Sequence, residues 1–447
     1  MTSSRNSLPL IVLGLALVAG TASAQVEERI SPYMNRTDPK EWVLTTTVTL
    51  VPNLTGIVKD GSMYKDEKYE IEQGTIFFPL AMRTSSHDRE KRSVKAELRF
   101  DKSQVRLNES FVDSIGPGEP LHSGETYGNW MFENLTIGPS MIFKVESRVT
   151  CWNTQFDEEA AMHVPWPEGD WPKEAASTFD SELFINESFD EVYDTDYVER
   201  LANRFTKGKA KMQPPMVSAK WIAGEVARGF QPNQRTIITD ARPATAHQSG
   251  MSVGATNSFS IQGAELAART HKGSSFDMAL LLTAVYREVG LPARLVVGYV
   301  GGSNGGDEEA FRAIDRAEIG PYAWVEVALY DESQARPDQQ LTWVPVDIFR
   351  MREDHVYSRK FDQPWAGFGT SDQLSEIIPI GFHLHPHRMG AQSYGATLRS
   401  REPMPALWGW NTVPELPATF NQSLNFSVTT PSRGPGDPEP GRRRRGD

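Results

Sequence analysis

Hydrophobic and polar positions divide the chain into a strand-rich first third and a mixed middle. From about Glu41 to Gln155 apolar residues alternate with polar ones at period two. WVLTTTVTLV, GTIFFPLAM, VKAELRF and MIFKVESRV each carry the pattern, separated by Gly, Asn, Asp and Pro turns. Regularly spaced short strands of this kind predict an antiparallel β-sandwich, assigned to residues 25–165. Between Asp196 and Phe230 the period becomes helical. Asp196 is placed to cap a first helix with Tyr197, Leu201 and Phe205 on one face. Pro214 and Pro215 then break the chain, and a second helix runs from about Met216 to Arg228 with Trp221 and Ile222 inward.

The densest patterning lies between His271 and Asp347. Ser274 followed three residues later by Asp277 reads as an N-cap with an acidic N3, and Met278, Leu281, Leu282, Val285 and Val289 recur at helical spacing. Gly290 and Pro292 end that helix. Three β-branched apolar runs follow, Leu295 to Val300, Tyr322 to Tyr330 and Leu341 to Val346, predicting one helix packed on a sheet.

The words GSSFDMA, GLPAR, VGY, YAWVEV and WVPVD stand here in order. They resemble the core of the transglutaminase-like superfamily, relatives of the papain fold. In that family a Gly-x-Cys-x-x-x-Ala opening sets a nucleophilic Cys at the helix start. His-Ala-Trp-Val-Glu-Val then supplies the base, and Trp-x-x-x-Asp supplies the carboxylate that orients it. The resemblance implies an α+β, transglutaminase-like (papain-like) core over residues 175–390, behind the β domain that exported members often carry. It places Ser275 where the family has Cys, Tyr322 where it has His, and Asp347 at the third position of the triad.

Those two replacements change the chemistry. A Cys at a helix N-terminus beside a His is a good nucleophile because both lower its pKa, whereas a Ser hydroxyl stays protonated near neutral pH and needs a base. With an ordinary pKa near 10, only about one tyrosine in a thousand is ionised at pH 7. An adjacent Asp347 carboxylate makes the phenolate still harder to form. Two readings follow. In the first the degenerate triad Ser275, Tyr322 and Asp347 is inactive, and the old groove holds a peptide, protein or cell-wall fragment in a binding or scaffold role. In the second, Ser275 acts in an amidase, protease or acyl transferase on peptide amide bonds, with a histidine from outside the triad as base. His271, four residues before Ser275, is the nearest in sequence, and reads more simply as part of the loop entering the helix.

Composition is that of an ordinary globular protein, 39% hydrophobic and 10% aromatic. Its formal net charge of −12 makes nucleic acid and anionic membranes poor partners. Arg5, the apolar run Leu8 to Ala19 and the small residues Ala22-Ser23-Ala24 read as a signal peptide over residues 1–24, so the protein is expected to be exported, periplasmic or secreted, with no transmembrane anchor. Cys151 is the lone cysteine, which excludes an internal disulfide; with no helix start or His beside it, it reads as a sheet cysteine.

The Trp- and Pro-rich stretch HVPWPEGDWPKEA reads as a linker wrapped on the surface. Residues 231–262 and 301–320 are polar loops that flank the groove as candidate lids in their placement along the chain. His383, His385 and His387 alternate, which in a strand puts them on one face at ligand-like spacing for a metal, but Pro386 interrupts them and no carboxylate cluster adjoins, so neither metal nor cofactor is assigned. They are also candidates for a base imported to Ser275. Residues 391–430 are expected to return as a C-terminal extension packing on the core, and 431–447 to form a disordered Pro/Gly/Arg tail.

Overall fold

The computed structural model describes residues 27–52, 69–80, 83–90, 94–100, 103–107, 110–112, 114–116, 119–120, 127–137, 141–180, 196–232, 263–300, 321–381, 392–393, 396–397, 409–413 and 420–431. The leader, the first candidate lid beyond Pro232, the second candidate lid and the tail from 432 onward lie outside them, as do His383, His385 and His387.

The period-two segments form antiparallel sheets. The strands are β1 (Glu28–Ser31), β2 (Met34–Pro52), β3 (Tyr69–Pro79), β4 (His87–Arg89), β5 (Lys95–Phe100), β6 (Ser103–Leu107), β7 (Ser110–Val112), β8 (Tyr127–Ile137) and β9 (Met141–Phe156). One sheet has the order β1-β2-β9-β5-β6, with β4 also paired to β9. A second contains β3-β8-β7. Trp130 of β8 and Phe143 of β9, both buried, bring the two sheets into contact with ring centroids 5.4 Å apart. On β9 buried and partly exposed side chains alternate strictly until the register shifts between Cys151 and Asn153, where a bulge breaks the pleat. Cys151 is fully buried at that bulge, and burial pushes its thiol well above the usual range.

The main helices are α1 (Tyr197–Thr206), α2 (Pro215–Gly229), α3 (Ala264–Thr270), α4 (Ser275–Glu288) and α5 (Ile348–Glu353). Two expectations here need correction. Asp196 occupies the cap position of α1, but its carboxylate accepts no cap hydrogen bond and instead pairs with Arg200. The first amides of α1, Tyr197 N and Val198 N, donate to Glu265 Oε2 of α3, so a neighbouring helix supplies the cap. Trp221 does not face inward: it is 46% exposed, while Ile222 is fully buried. Its ring lies against Phe361 and its Nε1 donates to Phe205 O, so a large aromatic at the helix surface is held by a polar bond that an inward position would forfeit.

The core sheet has the order β12-β11-β10-β13, from β10 (Ala293–Val300), β11 (Pro321–Tyr330), β12 (Leu341–Val346) and β13 (Ile377–Gly381), antiparallel throughout. Helix α4 packs on one face. The sequence pattern marks a single apolar stripe on it, yet Phe276, Leu280, Thr283 and Tyr286 are buried too. The helix is enclosed on both sides, by the sheet and by α1, α2, α3 and α5. The Tyr286 hydroxyl accommodates this by donating to Ala219 O of α2 at 2.9 Å. Gly298 of β10 is required by close approach, since a Cβ there would stand 2.7 Å from Ile378 O of β13.

The chain then returns to its beginning. Strand β14 (Gly409–Val413) pairs with β3, and β15 (Phe420–Thr429) pairs with β2 from Val43 to Pro52. The C-terminal extension therefore completes the two N-terminal sheets, and reaches the core through Val428, which clusters with Ile378 and Ile380. The Trp-rich linker packs as expected, with Trp166 and Trp171 partly buried against the main core. Beside it a buried pair joins the halves of the chain. Lys220 of α2, completely buried, bonds Glu158, Phe361 O and Gln363 O and lies 4.6 Å from the Trp365 ring centroid. Among the described residues no helix is long and apolar enough to cross a membrane.

Candidate functional site

Helix α4 begins as its sequence predicts. Ser274 Oγ accepts from Asp277 N at 3.1 Å, and Asp277 Oδ2 accepts from Ser274 N at 2.8 Å and Ser274 Oγ at 2.9 Å, a capping box. Asp277 Oδ1 takes a further bond from Gly263 N at 3.1 Å, so this buried carboxylate has a donor on each oxygen. Gly273 leaves room for it, because a Cβ at 273 would lie 2.6 Å from Asp277 Oδ2. The cap fixes Ser275 as the first helical residue, half-buried, with no hydrogen bond to its Oγ from any described residue.

Tyr322 and Asp347 come together from two adjacent strands. Tyr322 near the start of β11 donates its hydroxyl to Asp347 Oδ2 at 2.7 Å, and both residues are buried. Asp347 follows the end of β12 and caps α5, its Oδ1 accepting from Arg350 N at 3.0 Å. Burial drives the Tyr322 hydroxyl well above its ordinary pKa near 10, and the Asp347 charge adds to the shift. Burial also raises Asp347, against the opposing pull of its bonds from Arg350 N and Tyr322. The proton between them therefore belongs to the phenol, and Tyr322 is a donor with no capacity to act as a base near neutral pH.

His271 points elsewhere. It adopts a left-handed backbone at the end of α3, and its Nε2 stands 3.2 Å from Arg204 Nη2. Partial burial and the Arg204 charge lower its pKa. No histidine among the described residues hydrogen-bonds Ser275. Nor does any group of three His, Cys, Asp or Glu among them have the arrangement of a metal site.

Sequence reading missed the polar layer beneath Tyr322. Arg294 and Glu326, paired in register across β10 and β11, are both buried, with Arg294 Nε and Nη2 donating to Glu326 Oε2 at 2.9 and 2.6 Å. Arg294 also lies over Trp343 at 4.1 Å from the ring centroid. The other carboxylate oxygen, Oε1, accepts from Ser85 Oγ at 2.7 Å and Ser85 N at 3.2 Å, across from the N-terminal unit. The loop carrying Ser85 is gripped by Arg36, which donates to Ser85 O and Thr84 O and pairs with Asp88.

Next to Ser85, His87 is fully buried and stacks 5.7 Å from Trp324. Its Nε2 lies 3.0 Å from Leu374 O, while Nδ1 meets the Thr84 and Ser86 hydroxyls at 2.5 and 2.8 Å, an arrangement suited to the neutral ring with its proton on Nε2. Burial pushes its pKa down to about 3. The available signal was a charged residue inside each of two apolar strands, Arg294 and Glu326, whose burial demands a partner.

Residues 238–348 match the family model of the transglutaminase-like superfamily. Among solved structures, a candidate cysteine protease from Cytophaga hutchinsonii is similar at 11% identity over 88% of this chain and 100% of that one, with a TM-score of 0.38. A candidate protease from Parabacteroides distasonis shares 9% identity over 63% of this chain and 44% of its own length, with a TM-score of 0.20. The red sea bream transglutaminase shares 10% over 64% and 48%, with a TM-score of 0.24. The chain thus spans about half the length of the latter two. No curated protein matches. The matched residues include the segment that builds α4, β10, β11 and β12, which is similar to the transglutaminase-like superfamily in that stretch.

Proposed function

We propose that this is an exported protein whose transglutaminase-like domain has lost thiol chemistry and serves to bind or scaffold a peptide, protein or cell-wall fragment. The observation that carries the reading is the buried Tyr322 to Asp347 hydrogen bond. In the family arrangement a histidine in this place takes the nucleophile's proton, and a carboxylate orients it. Here the corresponding group is a phenol whose proton is held more tightly than in water. Ser275, at the nucleophile's place, has no described base beside it, and a serine without a base is a poor nucleophile. Loss of one triad member in another hydrolase costs on the order of 10⁶ in turnover, and this chain departs at two positions.

The same proposal includes the organisation in which this domain sits. Residues 1–24 are a cleaved leader, 25–165 a β-sandwich completed by strands from 391–430, 175–390 the core, and 431–447 a tail. The contact between Trp130 and Phe143 supports two facing sheets, and the Ser85, Arg36 and His87 contacts support a sandwich docked against the core rather than hung from a free linker.

The test is a paired assay of amide hydrolysis and amine incorporation on Gln-containing and wall-peptide substrates. Wild type, Ser275→Ala and the double variant Ser275→Cys/Tyr322→His are compared as mature protein. Wild type is expected to match Ser275→Ala at background, and turnover gained by the double variant would show an intact groove. Wild-type turnover that disappears in Ser275→Ala would replace this reading with a Ser275-dependent amidase or acyl transferase.

A further inference from the structure

A cavity of about 450 Å³ opens between α1, α2 and the turn at His271, and neither Ser275, Tyr322 nor Asp347 lines it. Leu201, Phe205, Phe230 and Leu281 supply apolar walls. Trp221, the aromatic that the helical pattern had turned inward, stands half-exposed at its edge. Its ring packs against Phe361 and presents the cavity with a flat apolar surface suited to stacking against an aromatic guest.

Its charge is opposite to that of the protein. Arg204, Lys207 and Arg228 line the cavity against one acid, Glu225, in a chain of net charge −12. Glu225 is already committed to Arg228. Among the described residues, Arg204 meets the acceptor nitrogen of His271 and lies over the Phe205 ring, with no carboxylate beside it, and Lys207 has no ion-pair partner. Three cations around an apolar floor, two of them without a carboxylate among the described residues, form an electrostatic funnel in an otherwise acidic molecule.

We propose that this cavity binds a small aromatic organic anion, its flat body against Trp221, Phe205 and Phe230 and its anionic head at Arg204 and Lys207. The apolar walls favour a ring system over a bare inorganic anion, and the limited volume favours a small molecule over a protein segment. Charge-assisted hydrogen bonds from a guanidinium and an ammonium give the preference for an anionic head over a neutral one. His271 lies at the meeting point of this cavity and the turn into α4, so an occupant touches the segment that positions Ser275. The inference does not depend on whether Ser275 is reactive.

The test is calorimetric titration of the full mature chain with naphthalene-2-sulfonate and, separately, the uncharged naphthalene-2-methanol. The sulfonate is expected to bind about tenfold more tightly or better at low salt. The variant Arg204→Glu/Lys207→Glu should erase that preference, and Trp221→Ala should weaken both probes. All three positions are at least partly exposed, and circular dichroism checks the fold; should the charge reversal disturb it, Arg204→Gln/Lys207→Gln makes the same comparison. Failure of the sulfonate to bind, equal binding of both probes, or a preference that survives removal of both cations would overturn the proposal.

Discussion

On β11 the side chains of Ala323, Val325, Val327 and Leu329 join α4 in the apolar core, whereas Tyr322, Trp324 and Glu326 alternate with them and face a layer holding Arg294, Trp343, His87 and Asp347. The strands and the degree of burial are the same; the physics is different. The α4 face is stabilised by area removed from water and by close packing, which are non-directional and spread over many residues. The opposite face depends on matched donors and acceptors, so removing one member strands another in a place water does not reach. That face also carries both the docking of the N-terminal unit and the Tyr322 to Asp347 pair.

The largest expected difference between the faces is in acid. The folded pKa of His87 lies near 3 against an ordinary 6.5, because its ring is buried among Thr84, Ser86, Trp324 and Leu374 O with the Arg36 charge nearby. A depressed value means that the neutral ring's contribution is complete above pH 6.5 and is lost as pH falls towards 3. At about 1.4 kcal/mol per pH unit the full window is worth on the order of 5 kcal/mol. Urea midpoints measured from pH 7 down to pH 4 should fall steeply in wild type and less steeply in His87→Gln, where the titrating ring is gone. Parallel slopes would contradict the buried neutral histidine.

Next in size is Glu326→Ala, which leaves Arg294 charged and buried without its carboxylate. A loss of about 3–5 kcal/mol in urea unfolding is expected. Replacing both partners, Arg294→Met/Glu326→Leu, should recover a good part of it, and no recovery would mean that the cost lies in Ser85 rather than the ion pair. On the apolar face Leu282→Ala should cost about 2–5 kcal/mol, a cavity cost with no pH dependence between 4 and 7. The smallest effect belongs to Tyr322→Phe, which removes one hydrogen bond and should destabilise by about 1–2 kcal/mol while leaving amidase readings at background.

How much of this could be read from the chain differed by the range of the interaction. The capping box at Ser274 and Asp277, the end of α4 at Gly290 and the three strands after it follow from local chemistry and repeat spacing, and all stand where expected. Long-range partners were not legible. Asp196 satisfied every local rule for a cap, yet Glu265, sixty-odd positions away, performs the role. Trp221 fell on the helix stripe by period but found its partner in Phe205 O and Phe361, which no spacing announces. The site divided in the same way. Family-like words marked Ser275, Tyr322 and Asp347, and two of the three meet in space, while the buried Arg294, Glu326, Ser85 and His87 network needed two distant halves of the chain to be seen together.

The central claim is that Tyr322 keeps its proton, in the hydrogen bond that its hydroxyl donates to Asp347, and so does not itself act as a base near neutral pH. Tyrosine labelled with ¹³C at Cζ reports this directly, with the Tyr322 resonance assigned by its absence in Tyr322→Phe. The account predicts that this resonance keeps its protonated shift as pH is raised through and past about 10, where exposed tyrosines ionise. Ionisation of Tyr322 below that value would show a phenolate within reach of neutral pH, and would contradict the claim that Tyr322 is a donor and not a base.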